Sequence, residues 1–195
     1  YNFHYDRRGL YDVGTEIAYK AGMNGWQGNK AIDYMSVTNH VWNSRPDKNQ
    51  PWFGQVQIMG GKRDYNYVRE GETLATNDVP IPPYFPDIPS QRKAWTQHYN
   101  ANRGSDVTVE KILKQLEADG ELENTIIFFF SDHGSNASLR HKQFCYEGGM
   151  LIPLMVKGAH PALEAGEVRN DLVTLLDVSA TTLAMGGVAL PKYLD

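Results

Sequence analysis

The residues best suited to chemistry cluster behind one apolar run. Residues 126–130 (IIFFF) lead directly into Ser131, Asp132, His133 and Gly134. A carboxylate oxygen and an imidazole nitrogen held side by side suit a divalent cation whose other ligands come from elsewhere. Gly134 lets the backbone turn sharply and approach a ligand. The same three residues also fit a strand-end turn whose Asp and His are merely solvated. Ten positions past Asp132 comes Lys142, the last of the triplet Arg140-His141-Lys142, on an excursion that must return to the sheet by Leu151. A lysine folded back over that edge is a compact point charge for an anionic group or a leaving oxygen. As one member of a basic triplet it fits a solvated turn equally. Lys62, just beyond Gly60-Gly61, offers a further cation at the end of another apolar segment.

Those positions need a frame. Residues 51–59 (PWFGQVQIM) alternate Phe53, Val56 and Ile58 with polar residues, which indicates a strand ending at the glycine pair. Residues 126–130 are apolar without alternation, as in a parallel strand covered on both faces. The spacing of Val109, Ile112, Leu113 and Leu116 predicts a helix over 105–119, with Gly120 as its stop. Further helices are expected over 29–40 and over 171–185, the latter with a break near Ser179. A short strand is expected over 151–156. Five prolines in residues 77–89 exclude helix and central strand there, so an extended surface connection is expected. Residues 1–28 show no convincing period and read as irregular. Strands alternating with helices indicate an α/β layered domain, whose ligands lie beyond the carboxyl ends of its strands.

Composition narrows the function. A net charge of −4 argues against a general nucleic-acid binder, which needs a basic face. No apolar run reaches the roughly 20 residues of a membrane helix. A single cysteine excludes an internal disulfide framework and a cysteine-built zinc site. Neither end looks like a natural chain terminus, and a piece of something longer is expected. A sequon at Asn136-Ala137-Ser138 lies too close to the candidate metal edge to suit glycosylation.

Three ordered runs carry a family resemblance: TIIFFFSDHG, then RHKQFCYEGGMLIPLMVKG, then LVTLLDVSATTLAMGGVALP. Together they resemble the second half of a type I sulfatase catalytic domain. That family pairs an apolar strand ending in Asp-His-Gly or Asp-Asn-Gly with a lysine, then Tyr-Glu/Asp-Gly-Gly, then Val/Ile-Pro-Leu. KAIDYM and QPWFGQVQIMGG are similar to the helix and strand upstream of its substrate loop. Ala180 stands where the family usually has proline, a departure placed at a helix start. The resemblance covers most of the chain and is strongest from about Ser105 onward.

The resemblance implies an α/β, alkaline-phosphatase-like fold: a mixed, mostly parallel sheet flanked by helices. It makes Asp132 and His133 the second pair of ligands to a calcium ion, and Lys142 the contact to both sulfate and nucleophile. Where the family often has a Pro-His pair, this chain has Gly60-Gly61-Lys62; Lys62 then touches sulfate or sugar, or the loop simply differs. Arg140 and His141 line the substrate pocket or form solvated surface. Glu147, Gly148 and Gly149 shape the return into the next strand. The family's nucleophile is a formylglycine made within Cys/Ser-x-Pro/Ala-x-Arg. Tyr146, Glu147, Gly148 and Gly149 after Cys145 do not fit that pattern, and no other position does. Cys145 is therefore expected to be a small buried apolar side chain.

The nucleophile is then expected in a segment not in this chain. Residues 1–195 would be part of one catalytic domain, without its nucleophile-bearing N-terminal part or its C-terminal subdomain, and would be inactive alone. The implied activity is hydrolysis of sulfate esters, of sulfated sugars above all, in a periplasmic, secreted or lysosomal setting. The partner is a sulfated small molecule or glycan, with no nucleic acid and no membrane. A phosphonate or phosphate ester hydrolase of the same superfamily, or a non-catalytic module that binds sulfated glycans, are the alternatives.

Overall fold

The computed structural model describes residues 2–3, 42, 47–49, 51–54, 56, 58, 68–135 and 138–192. The expected helix over 29–40, Lys62 and the Asn136 sequon lie outside the described residues.

Two short sheets and one long helix organise the described residues. β1 (Asn2–Phe3) pairs in parallel with β2 (Trp52–Phe53), Asn2 opposite Trp52. A strand at residues 2–3 was not expected, because two residues carry no period. β3 (Ile127–Phe130) pairs antiparallel with β4 (Leu154–Lys157), Phe130 opposite Leu154. The expectation of a parallel, doubly covered strand is therefore corrected at β3. A parallel return needs a crossover of a dozen or more residues, usually helical. Among the described residues between β3 and β4 the only helix is α2 (Glu147–Met150), so the chain comes back beside the strand it left. Phe130 is also exposed, and Ile127, Phe128 and Phe129 are only half-buried. The strand expected over 151–156 begins three residues later, after Pro153.

The helix expected over 105–119 is the second half of α1 (Pro89–Ala118), 30 residues long. Its start is set by Pro89, whose missing N–H costs nothing in the first turn and whose fixed φ suits a helix. Residues 89–104 lack an apolar stripe because their polar side chains are used as tertiary partners. Asn100 accepts from the Leu74 N–H and donates to the Leu74 carbonyl, at 2.9 and 3.2 Å. Arg103 donates to the Glu72 carbonyl, and Arg92 pairs with Asp87. Segment 68–88, proline-rich and extended as expected, is thus strapped along α1. Gly120, at φ 73, ends the helix: its N–H reaches the Glu117 carbonyl, and Glu121 N–H reaches the Leu116 carbonyl.

Among the described residues the buried apolar ones are Trp42, Val79, Trp95, Ala101 and Leu116. Small residues Ala101, Gly104, Ser105 and Thr108 form the buried face of mid-α1 and allow close approach to it. Each buried large side chain contributes about 2–3 kcal/mol. Trp42 and Trp52 stack at 5.6 Å, and their indole N–H groups donate to Asp119 and Glu121, fixing β2 to the end of α1. A 3₁₀ turn at Leu122–Asn124 then delivers the chain to β3.

α3 (Leu175–Met185) starts later than residue 171, because Thr174 caps it: its N–H and hydroxyl both donate to the Asp177 carboxylate. No break occurs at Ser179, whose hydroxyl bonds the Leu175 carbonyl within a continuous helix. Ala180 lies five residues inside α3, not at its start.

Candidate functional site

β3 places Asp132 and His133 at its carboxyl end. Asp132 is exposed and His133 half-buried, and His133 Nε2 lies 3.5 Å from Asp132 Oδ2. His133 Nδ1 is 2.7 Å from the Gly134 carbonyl oxygen. That oxygen can only accept, so Nδ1 donates to it and Nε2 is left facing Asp132. A separation of 3.5 Å is one that two ligands of a single cation can span at bond lengths of about 2.3–2.6 Å. The donor set therefore fits a divalent ion. No third His, Cys, Asp or Glu completes a cluster among the described residues.

Lys142 folds back as the spacing requires. Its backbone N–H donates to the Ser135 carbonyl at 3.3 Å, and Gly134 N–H donates to the Gly149 carbonyl at 3.0 Å. These two bonds tie the excursion to the strand edge. Arg140 and Gln143 adopt left-handed backbone, φ 62 and 71, on either side of His141 and Lys142. Non-glycine residues take that conformation at a cost, and such strain concentrates at functional positions. Lys142 is half-buried, and no carboxylate among the described residues pairs with its ammonium. A surface hollow of about 330 Å³ lies elsewhere, lined by Arg69, Glu110, Leu113 and Leu122 among others, and shares no residue with this edge. Being shallow and lined by paired charges, it is the weaker candidate.

Glycines make the fold-back possible. A Cβ on Gly134 would stand 1.8 Å from the Gly148 carbonyl oxygen, and one on Gly149 would stand 2.3 Å from the His141 and Phe144 oxygens. Gly134 thus lets α2 approach the strand end closely. Gly148 and Gly149 shape the return, as the sequence indicated, by seating the 141–144 turn on their backbone.

The other basic residues divide. Arg140 is exposed, with its guanidinium 5.5 Å from the Tyr146 ring centre. His141 is half-buried: a Cβ on Gly148 would lie 2.3 Å from its Nε2, and the Tyr84 hydroxyl lies 3.5 Å from the same atom. Tyr84 escaped the sequence reading; its only signal was an aromatic pair inside the proline run. Cys145 is exposed, not buried, because residues 143–147 all stand out from the fold.

Residues 17–188 match the model of the sulfatase family, and the chain belongs to that family. An ulvan-active sulfatase of Formosa agariphila is 35% identical over 145 residues, which is 72% of this chain and 24% of the relative. An N-acetylglucosamine-6-sulfatase of Capra hircus is 29% identical over 183 residues, 83% of this chain and 31% of the relative. An extracellular sulfatase SULF-1 homolog of Drosophila melanogaster is 34% identical over 104 residues, 51% of this chain and 9% of the relative. The chain thus spans under a third of the length of each of these relatives. No solved structure matches it.

Proposed function

We propose that this chain is part of the catalytic domain of a sulfuric ester hydrolase acting on sulfated sugars. The observation that carries the reading is the juxtaposition at one strand edge. Asp132 and His133 converge to 3.5 Å, and Lys142, without a carboxylate partner among the described residues, is tied by its backbone N–H to Ser135 at the same edge. Family membership and the carbohydrate names of two relatives support the sulfate and sugar parts of it.

In this reading Asp132 and His133 hold one divalent cation. Calcium is the ion the family resemblance implies, although the imidazole nitrogen admits softer ions. Such a cation, with a formylglycine from a segment outside this chain, would supply Lewis acidity and the nucleophile. Lys142 holds a sulfuryl oxygen and stabilises the charge that develops there as the ester bond breaks. The Gly134 carbonyl accepts from Nδ1 and so orients the His133 ring, leaving Nε2 as the atom turned toward the cation. Arg140 and His141 flank the sulfate, and Lys62 contacts sulfate or sugar from the preceding strand's loop. The protein acts outside the cytoplasm, in a periplasmic, secreted or lysosomal setting.

The test compares this chain alone with the complete protein carrying the nucleophile segment, on matched sulfate and phosphate monoesters of one sugar. Hydrolysis of the sulfate by the complete protein, and of neither ester by the chain alone, is expected. Turnover by the rigorously purified chain, or preference for the phosphate, would overturn the reading.

A further inference from the structure

The geometry points to Tyr84 as a sugar-stacking subsite beside Lys142, taking the ring that bears the sulfate ester. It rests on the sulfatase reading above and adds to it the element that recognises the sugar. Tyr84 is 67% exposed, yet it is held firmly. Pro82, Pro83 and Pro86 restrict the backbone around it, and Phe85 N–H donates to the Pro82 carbonyl at 2.9 Å. The neighbouring Phe85 ring lies 5.1 Å from Tyr84 and meets the buried Trp95 edge-on at 5.7 Å. An open aromatic face is thereby carried on a strap anchored to the core.

The hydroxyl end of the ring reaches the loop that carries Lys142. The Tyr84 hydroxyl lies 3.5 Å from His141 Nε2, and His141 is wedged against Gly148 and precedes Lys142 directly. A rigid aromatic with few torsions gives contact area at low entropic cost. Its face suits the C–H face of a pyranose, while the hydroxyl and the imidazole can bond ring hydroxyls. Lys142, the next residue along that loop, would meet the sulfate. A sulfated sugar matches this pairing of an apolar face with a cation, and a free sulfate ion matches only half of it.

The experiment uses the complete protein, nucleophile segment included, with a sulfated monosaccharide as substrate and inorganic sulfate as inhibitor. Tyr84→Ala is expected to raise KM for the sugar about three- to tenfold, leaving kcat and inhibition by sulfate unchanged. Tyr84→Phe, which keeps the face and loses the hydroxyl, is expected to raise KM by clearly less than Tyr84→Ala does. An unchanged KM in Tyr84→Ala, an equal loss of sulfate inhibition, or a Tyr84→Phe variant as impaired as Tyr84→Ala would overturn the subsite. Those results would leave sulfate-ester turnover, and with it the sulfatase reading, intact. Absence of sulfate-ester turnover in the unmodified protein would overturn both.

Discussion

The cations along α1 and those behind β3 are used in opposite ways. Along α1, Arg69 of the strap pairs with Glu72 and with Glu110 of the helix, Lys114 pairs with Glu110 at 2.7 Å, and Arg92 pairs with Asp87. Two of them, Arg69–Glu110 and Arg92–Asp87, join the 68–88 strap to the helix. Behind β3, Lys142 is half-buried without a carboxylate partner among the described residues, and Arg140 faces only a ring. Charge already neutralised by the protein builds structure. Charge held in place but left unneutralised is available to an anion from outside, and that is what an ester hydrolase needs where charge develops.

The sharpest way to break this contrast is to remove one cation from each region of the complete protein. Lys142→Ala is expected to lower kcat by about 10²–10³-fold, as loss of a donor to developing charge does elsewhere. Arg92→Ala should leave kcat unchanged. Equal losses in the two variants would erase the distinction.

The seating of the loop gives the next largest effect. Gly149→Ala must push a Cβ into the His141 and Phe144 oxygens. A cost of about 1–3 kcal/mol is expected, seen as a lower melting temperature together with weaker metal binding. On the helix side, Asp119→Ala removes the acceptor of the Trp42 indole N–H. Thermal denaturation should show a loss of about 1–2 kcal/mol with kcat preserved.

Acid should separate the regions more gently. Lys114 first, and Arg69 second, hold the Glu110 carboxyl down to about 2 from an ordinary 4.5. A carboxyl lowered on folding stabilises the fold fully above its unfolded value and loses that contribution as pH falls through its folded value. Melting temperature should therefore decline between pH 4.5 and about 2, and the decline should be smaller in Glu110→Gln. An identical decline in both would show that the strap does not depend on this pair.

The strand edge was more legible than the frame that carries it. SDHG behind an apolar run indicated that Asp132 and His133 end a strand, as they do at β3, while their roles and that of Lys142 rest on the family resemblance. The Gly120 stop of α1 was equally local. The first half of α1 was not legible, since Asn100 and Arg103 act on carbonyls of Leu74 and Glu72, about 26 and 31 residues earlier in the chain. The direction of β4 was hidden for a related reason: an apolar run carries no record of which way its partner runs. Cys145 and Tyr84 were misjudged or missed because exposure depends on how the excursion and the strap leave the core. Lys62 lies outside the described residues and stays a proposal from resemblance.

The most direct test of the strand edge is anomalous diffraction from crystals of the complete protein grown with calcium. A calcium ion within about 2.3–2.6 Å of both an Asp132 carboxylate oxygen and His133 Nε2 is the expected result. A well-occupied calcium site elsewhere in the domain, with Asp132 and His133 bonded only to solvent, would contradict it.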